Sequence, residues 1–112
     1  MDYSMLVVTC PDRKVAETIA DRIVRDRLAA CGSVTTSVTS IYRWKGRMRR
    51  DSEVILFLKT RRRLVSACVD AVRSLHPYEV PEVIALPIAS GFPAYLSWVS
   101  DETRAPPRRR RG

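Results

Sequence analysis

The first apolar stretch, residues 3–10 (Tyr-Ser-Met-Leu-Val-Val-Thr-Cys), is rich in β-formers and apolar on both sides, as a central strand is. Pro11-Asp12 breaks it, and Asp12 offers a helix N-cap. From Val15 the period lengthens. Val15, Ile19 and Ile23 recur every fourth residue beside Ala16, Ala20 and Val24, with Leu28 extending the stripe. This predicts an amphipathic helix that runs to Cys31 and stops at Gly32. Residues 33–44 are Ser, Thr and Val with Ile41, Tyr42 and Trp44, one strand by composition. Lys45-Gly46-Arg47 supplies a turn, and a second strand runs to Thr60 with Val54–Leu58 as its buried part.

Thr60 is positioned to cap a second helix with the stripe Leu64, Cys68, Val72 and Leu75, ended by His76-Pro77. Its first turn would hold Arg61, Arg62 and Arg63, against the helix dipole, a local violation of the kind found at functional or interface positions. A loop stiffened by Pro77 and Pro81 leads to a last buried strand at Val83–Leu86, ending near Pro87. Gly91-Phe92-Pro93 then opens a short segment with Tyr95, Leu96, Trp98 and Val99 at helical spacing.

The order strand, helix, strand, strand, helix, strand predicts an α+β fold, a ferredoxin-like βαββαβ sandwich with a long hairpin and a short C-terminal helix. Both long helices pack on one face of an antiparallel sheet. The other sheet face needs a cover, which points to oligomerisation. On the hairpin, Ser40, Tyr42 and Trp44 alternate onto one face and Ile41, Arg43 and Lys45 onto the other. Two large aromatics near a polar tip also fit a subunit interface.

Length and charge refine this picture. The chain has 112 residues, 46% hydrophobic and 29% charged, which suits one domain over residues 1–103. The formal charge is +8, but residues 104–112 hold five of the 20 basic groups and no acidic one. That leaves 15 basic against 12 acidic groups on 1–103, and residues 104–112 read as a disordered Arg-rich tail. No apolar run approaches the roughly 20 residues of a membrane helix, and the start is acidic, so neither a membrane span nor a signal peptide is expected. Cys10, Cys31 and Cys68 are odd in number and widely spaced, which suits reduced thiols in the cytoplasm rather than a disulfide framework or a zinc site.

Candidate chemistry is sparse. There is no nucleophile elbow, no His-Glu-x-x-His and no phosphate-binding glycine loop, and the chain has no Asn or Gln. No catalytic residue is assigned, and a cysteine-dependent enzyme is the weakest reading. The only histidine, His76, stands six residues before Glu82, a spacing compatible with a transition-metal site but also with a helix C-terminal group. Lys59 and Arg61–Arg63 near one helix N-terminus leave room for an anion.

The motifs Thr9-Cys10-Pro11-Asp12, Arg27-Leu28-Ala29-Ala30-Cys31, Ser40-Ile41-Tyr42-Arg43-Trp44-Lys45-Gly46, Lys59-Thr60-Arg61, His76-Pro77-Tyr78-Glu79-Val80-Pro81-Glu82 and Tyr95-Leu96-x-Trp98 stand in that order. Over roughly residues 5–100 the chain closely resembles the CutA family of divalent-cation tolerance proteins. The resemblance implies a PII-like homotrimer assembled through the long hairpin, a cytoplasmic, non-enzymatic protein linked to copper and other divalent cations. It implies an intersubunit cleft at Ser40, Tyr42, Trp44, Lys59, His76, Tyr78, Glu82 and Trp98. It also implies a small ligand or a metal ion, Cu(II) or another divalent cation, with Cys31, His76 and Glu82 as metal ligands and no cofactor required for folding. Val8 stands where some members carry a first-strand cysteine, so a metal site using that thiol does not carry over.

A second reading is a small RNA-binding module, because the same element order builds RNA-recognition domains and the Arg tail would attract phosphate. Phe57 is the only aromatic on its strand, which lacks the aromatic signature of those domains, so nucleic acid is the less favoured partner.

Overall fold

The computed structural model describes residues 3–105. Its strands and helices are β1 (Tyr3–Cys10), α1 (Arg13–Arg25), β2 (Cys31–Val34), β3 (Val38–Trp44), β4 (Arg47–Arg61), α2 (Val65–Leu75), β5 (Val83–Ile88) and α3 (Pro93–Asp101). The sheet runs β2-β4-β1-β5 with antiparallel neighbours, and β3 pairs with the outer half of β4. This is the ferredoxin-like arrangement expected from the element order. Alternate residues of the two central strands, Leu6, Val8, Leu56 and Leu58, point to one face, where Ile19 and Ile23 of α1 and Cys68 and Val72 of α2 close the core.

Asp12 caps α1 as expected, its Oδ1 accepting the Val15 N–H at 2.9 Å. The far end of α1 departs from the sequence reading. The helix stops at Arg25 because Arg27 takes a left-handed φ of 60°, and the Leu28 N–H bonds back to the Ile23 carbonyl at 3.1 Å. This is a Schellman-type ending with arginine where glycine is usual, and the strained backbone costs roughly 1–2 kcal/mol. Leu28 is buried beyond the helix, and Cys31 and Gly32 open β2. Gly32 is a close-approach residue rather than a helix stop: a Cβ there would lie 2.9 Å from the Ala20 Cβ.

Two further expectations are corrected. The single strand over 33–44 is split, because Thr35, Thr36 and Ser37 lie opposite only Val54 and Ile55 of β4. The extra residue is a bulge that bends the hairpin away from the main sheet. Thr35 holds it, exchanging bonds of 2.9 Å with Ile55 through its N–H and its Oγ1. Thr60 does not cap α2 either. It stays in β4, fully buried, with Oγ1 donating to the Leu28 carbonyl at 2.6 Å. Arg61 ends the strand, Arg62 and Arg63 form a 3-10 turn, and α2 begins only at Val65, so none of the three arginines lies in its first turn.

The Arg61 guanidinium donates to the Thr103 Oγ1 and carbonyl at 2.9 and 2.8 Å, and the Arg104 N–H bonds the Arg27 carbonyl. The chain is therefore still fastened at 104, and residues 106–112 of the expected tail lie outside the described residues. Helix α3 covers the helix-free sheet face at this end, where Val99 packs on Tyr3 and Ala30. Further along that face, Met5, Val7 and Phe57 are only half-buried, and Ile84 and Leu86 are 50% and 45% exposed, so the last strand is an edge strand in this chain rather than the buried one expected. Relaxing the Arg27 backbone is the simplest test of this fold: Arg27→Gly should stabilise by about 1 kcal/mol, read as a raised urea midpoint.

Candidate functional site

The hairpin turns on Lys45-Gly46, both at positive φ (50° and 77°), the type I′ geometry that matches strand twist. Its register opposes Ser40 to Asp51, Tyr42 to Arg49 and Trp44 to Arg47. Opposed residues share a face, so the expected Ser40–Tyr42–Trp44 face also carries Arg49 and Asp51, with Glu53 next along β4. The Tyr42 hydroxyl donates to Asp51, whose other neighbour, the Arg49 guanidinium, stands 3.6 Å away. That hydrogen bond holds the Tyr42 phenol above its ordinary value.

The opposite wall is the loop after α2. His76 is buried. Its Nδ1 accepts the Tyr78 N–H at 3.1 Å and its Nε2–H donates to the Thr9 carbonyl at 2.7 Å, which fixes the tautomer. Both ring nitrogens are thus engaged, and the ring packs on Tyr78 with centroids 4.7 Å apart. Tyr78 in turn donates its hydroxyl to Glu53 Oε2 at 2.7 Å. Burial, then this hydrogen bond, pushes the Tyr78 phenol far up. Glu53 is only 6% exposed. Between the walls lies an open cleft of about 920 Å³.

Of the residues proposed from sequence, Ser40, Tyr42, Trp44, Tyr78 and Glu82 line this cleft, and His76 braces it from behind. Lys59 and Trp98 do not reach it. They belong with Cys31 at the other end of the sheet, where Cys31 pairs with Lys59 in register. There the Cys31 thiol and the Tyr95 hydroxyl are 3.5 Å apart, and Tyr95 packs on Trp98 at 5.6 Å. The Tyr95 phenol is pushed up to about 12, first by that hydrogen bond and then by burial.

The proposed ligands Cys31, His76 and Glu82 do not converge in one chain. Cys31 sits beside Lys59, whose β1 partner is Met5, whereas His76 binds Thr9, four residues or about 13 Å further along β1. Among the described residues no three His, Cys, Asp or Glu side chains gather as a metal set, so a bound Cu(II) does not fit a single chain. The anion cluster is also dispersed, since Arg61 is taken by Thr103 and Lys59 reaches toward Ser33 Oγ at 3.5 Å. Glu53 and Asp51 escaped the sequence reading. The available signal was a lone carboxylate at the start of the apolar run Val54–Leu58, where burial demands a partner.

Helices on one face of an antiparallel sheet, with a bent hairpin forming half of an aromatic and acidic cleft, define a ferredoxin-like protein built around a surface cleft. The chain belongs to the CutA1 divalent ion tolerance protein family, which it matches over residues 4–102. It is 43% identical over 99 residues to the divalent-cation tolerance protein CutA of Thermus thermophilus, covering 88% of this chain and 96% of that one. It is 52% identical over 102 residues to mouse Protein CutA, covering 91% of this chain. The chain spans only 58% of the length of that mouse relative and 57% of its human counterpart. The crystal structure of CutA from Xylella fastidiosa superposes with a TM-score of 0.90 at 38% identity, covering 93% of this chain and all of that one. The RNA-binding alternative gains no support from these relatives.

Two outcomes test the site's chemistry. His76→Ala removes two part-buried hydrogen bonds, so it should destabilise by about 2–3 kcal/mol in urea unfolding with EDTA present. The second concerns the buried thiols. Burial raises Cys10 and Cys68 from 9.0 to about 11. The unfolded chain therefore loses these protons first, and the stability they contribute is fully present below pH 9 and lost as pH rises toward 11. Urea midpoints at pH 8, 9, 10 and 11 should fall, and fall less steeply in the Cys10→Ala/Cys68→Ala variant.

Proposed function

We propose that this chain acts as a non-enzymatic homotrimer serving divalent-cation tolerance, and that it binds a small ligand or a metal ion in clefts between subunits. The observation that carries the assembly is the helix-free sheet face. Met5, Val7, Phe57, Ile84 and Leu86 form a continuous apolar surface beyond the reach of α3. Ile41 and Met48 add exposures of 59% and 62% on the hairpin. Contiguous apolar surface of this kind is what a subunit interface buries. The number three comes from the family likeness, and the PII-like hairpin contact with it.

The cleft supports the binding role because it is concave, walled by aromatics and furnished with a few polar groups, as small-ligand sites are. Copper is one candidate occupant. Its proposed ligands Cys31, His76 and Glu82 would have to come from more than one subunit, since Cys31 lies at the far end of the sheet from the other two. The three thiols are free in the fold, which supports a reducing compartment such as the cytoplasm.

Light scattering on a sizing column, in dilute protein with chelator, tests the assembly. The expected mass is close to three times the chain's 12.7 kDa. A mass of one chain would leave the apolar face uncovered and overturn the trimer. Phe57→Glu, which puts a carboxylate in the middle of that face, should shift the mass toward the monomer.

A further inference from the structure

The cleft is electrostatically one-sided. Four carboxylates line it, Asp51, Glu53, Glu79 and Glu82, against the single guanidinium of Arg49, in a chain whose formal charge is +8. Arg49 is matched by Asp51 at 3.6 Å. Glu53, Glu79 and Glu82 make no ion pair with any described residue.

Glu53 is the telling member. It is 94% buried by its 6% exposure, and the one side-chain donor it has among the described residues is the neutral Tyr78 hydroxyl. A carboxylate so buried ordinarily has a cation or several donors, because one neutral hydrogen bond does not offset the loss of water. A cation entering the cleft would supply the missing partner.

The aromatic walls decide which kind of cation. Tyr42, Trp44 and Tyr78 line the same space, and an ammonium or guanidinium gains over an aromatic face what a hydrated metal ion does not. The chain already shows the preference: the Lys45 ammonium stands 5.6 Å over the Trp44 ring. A bare metal ion is the poorer fit, since the described carboxylates do not gather into a metal set. A space of about 920 Å³ also suits an organic body rather than an ion.

We infer that the cleft between the hairpin and the 76–82 loop binds an organic cation, an ammonium or guanidinium on a small apolar or aromatic body. The charge lies toward Glu53 and the body against Tyr42 and Trp44. The inference rests on the reading above that this cleft is the protein's binding site, and it names the class of ligand.

Calorimetric titration of the full 112-residue chain, at constant ionic strength, tests it with 2-phenylethylamine and agmatine as cations. The neutral 2-phenylethanol and the anionic phenylacetate are the controls, and CuCl2 is titrated separately. The amines should saturate at least about tenfold more tightly than the alcohol, and phenylacetate should not bind. Glu53→Gln keeps an acceptor for Tyr78 and should weaken the amines about tenfold. Glu82→Gln, on the open side of the cleft, should weaken them by a smaller factor and guards against a folding defect in the first variant. Equal binding of alcohol and amine, or amine binding indifferent to both variants, overturns the inference. Copper saturation that depends on Glu82, without amine binding, also overturns it but leaves the cleft as the binding site. If neither amine nor copper saturates, the binding role of the cleft falls with it.

Discussion

The fifteen-residue strand β4 has to satisfy three partners at once, and the rest of the structure is arranged around that demand. Its inner half pairs with β1 on one side and β2 on the other, and its outer half pairs with β3 alone. The inner half is anchored by alternate leucines in a closed core, so it cannot slide without turning apolar side chains to the wrong face. Pairing the hairpin to a strand fixed in this way requires the bulge at residues 35–37. Glu53 sits where the two halves meet, inside enough to be buried and outside enough to reach Tyr78. The cleft is thus a product of the junction, and it needs no dedicated loop of its own.

The buried histidine shows how the opposite wall is kept in place. A proline follows it directly, so the loop cannot continue the helix hydrogen bonding. The imidazole substitutes one bond to the first strand and one to the loop's own backbone. Through Tyr78 the same arrangement reaches Glu53, giving a chain of contacts from Thr9 to the hairpin strand. Each member is oriented by the next, which is how a rigid wall forms from a segment without regular secondary structure.

Most of the architecture was legible because periodicity reports it directly. The change from a run apolar on both sides to a period of four marks β1 and α1, and the Asp12 cap and the Lys45-Gly46 turn are local chemistry. What stayed hidden depended on distant partners. The end of α1 carries no glycine, so Arg27 gave no sign of its backbone geometry. Residues 33–44 are uniformly β-prone, and a bulge adds no composition of its own. Thr60 looks like a helix cap to any local rule, and only the buried Leu28 carbonyl explains why it stays in the strand. In the cleft, the aromatic and loop residues announced themselves through family-like motifs. The carboxylates opposite them did not, because their importance comes from cross-strand register. Lys59 and Trp98 were grouped with the cleft by likeness, and Cys31 with His76 and Glu82 as a metal ligand, yet within one chain all three lie along the sheet from it.

The fastening of Thr103 and Arg104 has a practical side. Arg61, which holds Thr103, is paired with Tyr3, while the cleft opens at Thr9. Six residues of strand separate these points, about 20 Å. The backbone thus leaves the described fold at the end of the sheet remote from the cleft. A surface tether joined directly after residue 105, the last one described, would start from that remote end, and the protein could be immobilised with its cleft facing the solution.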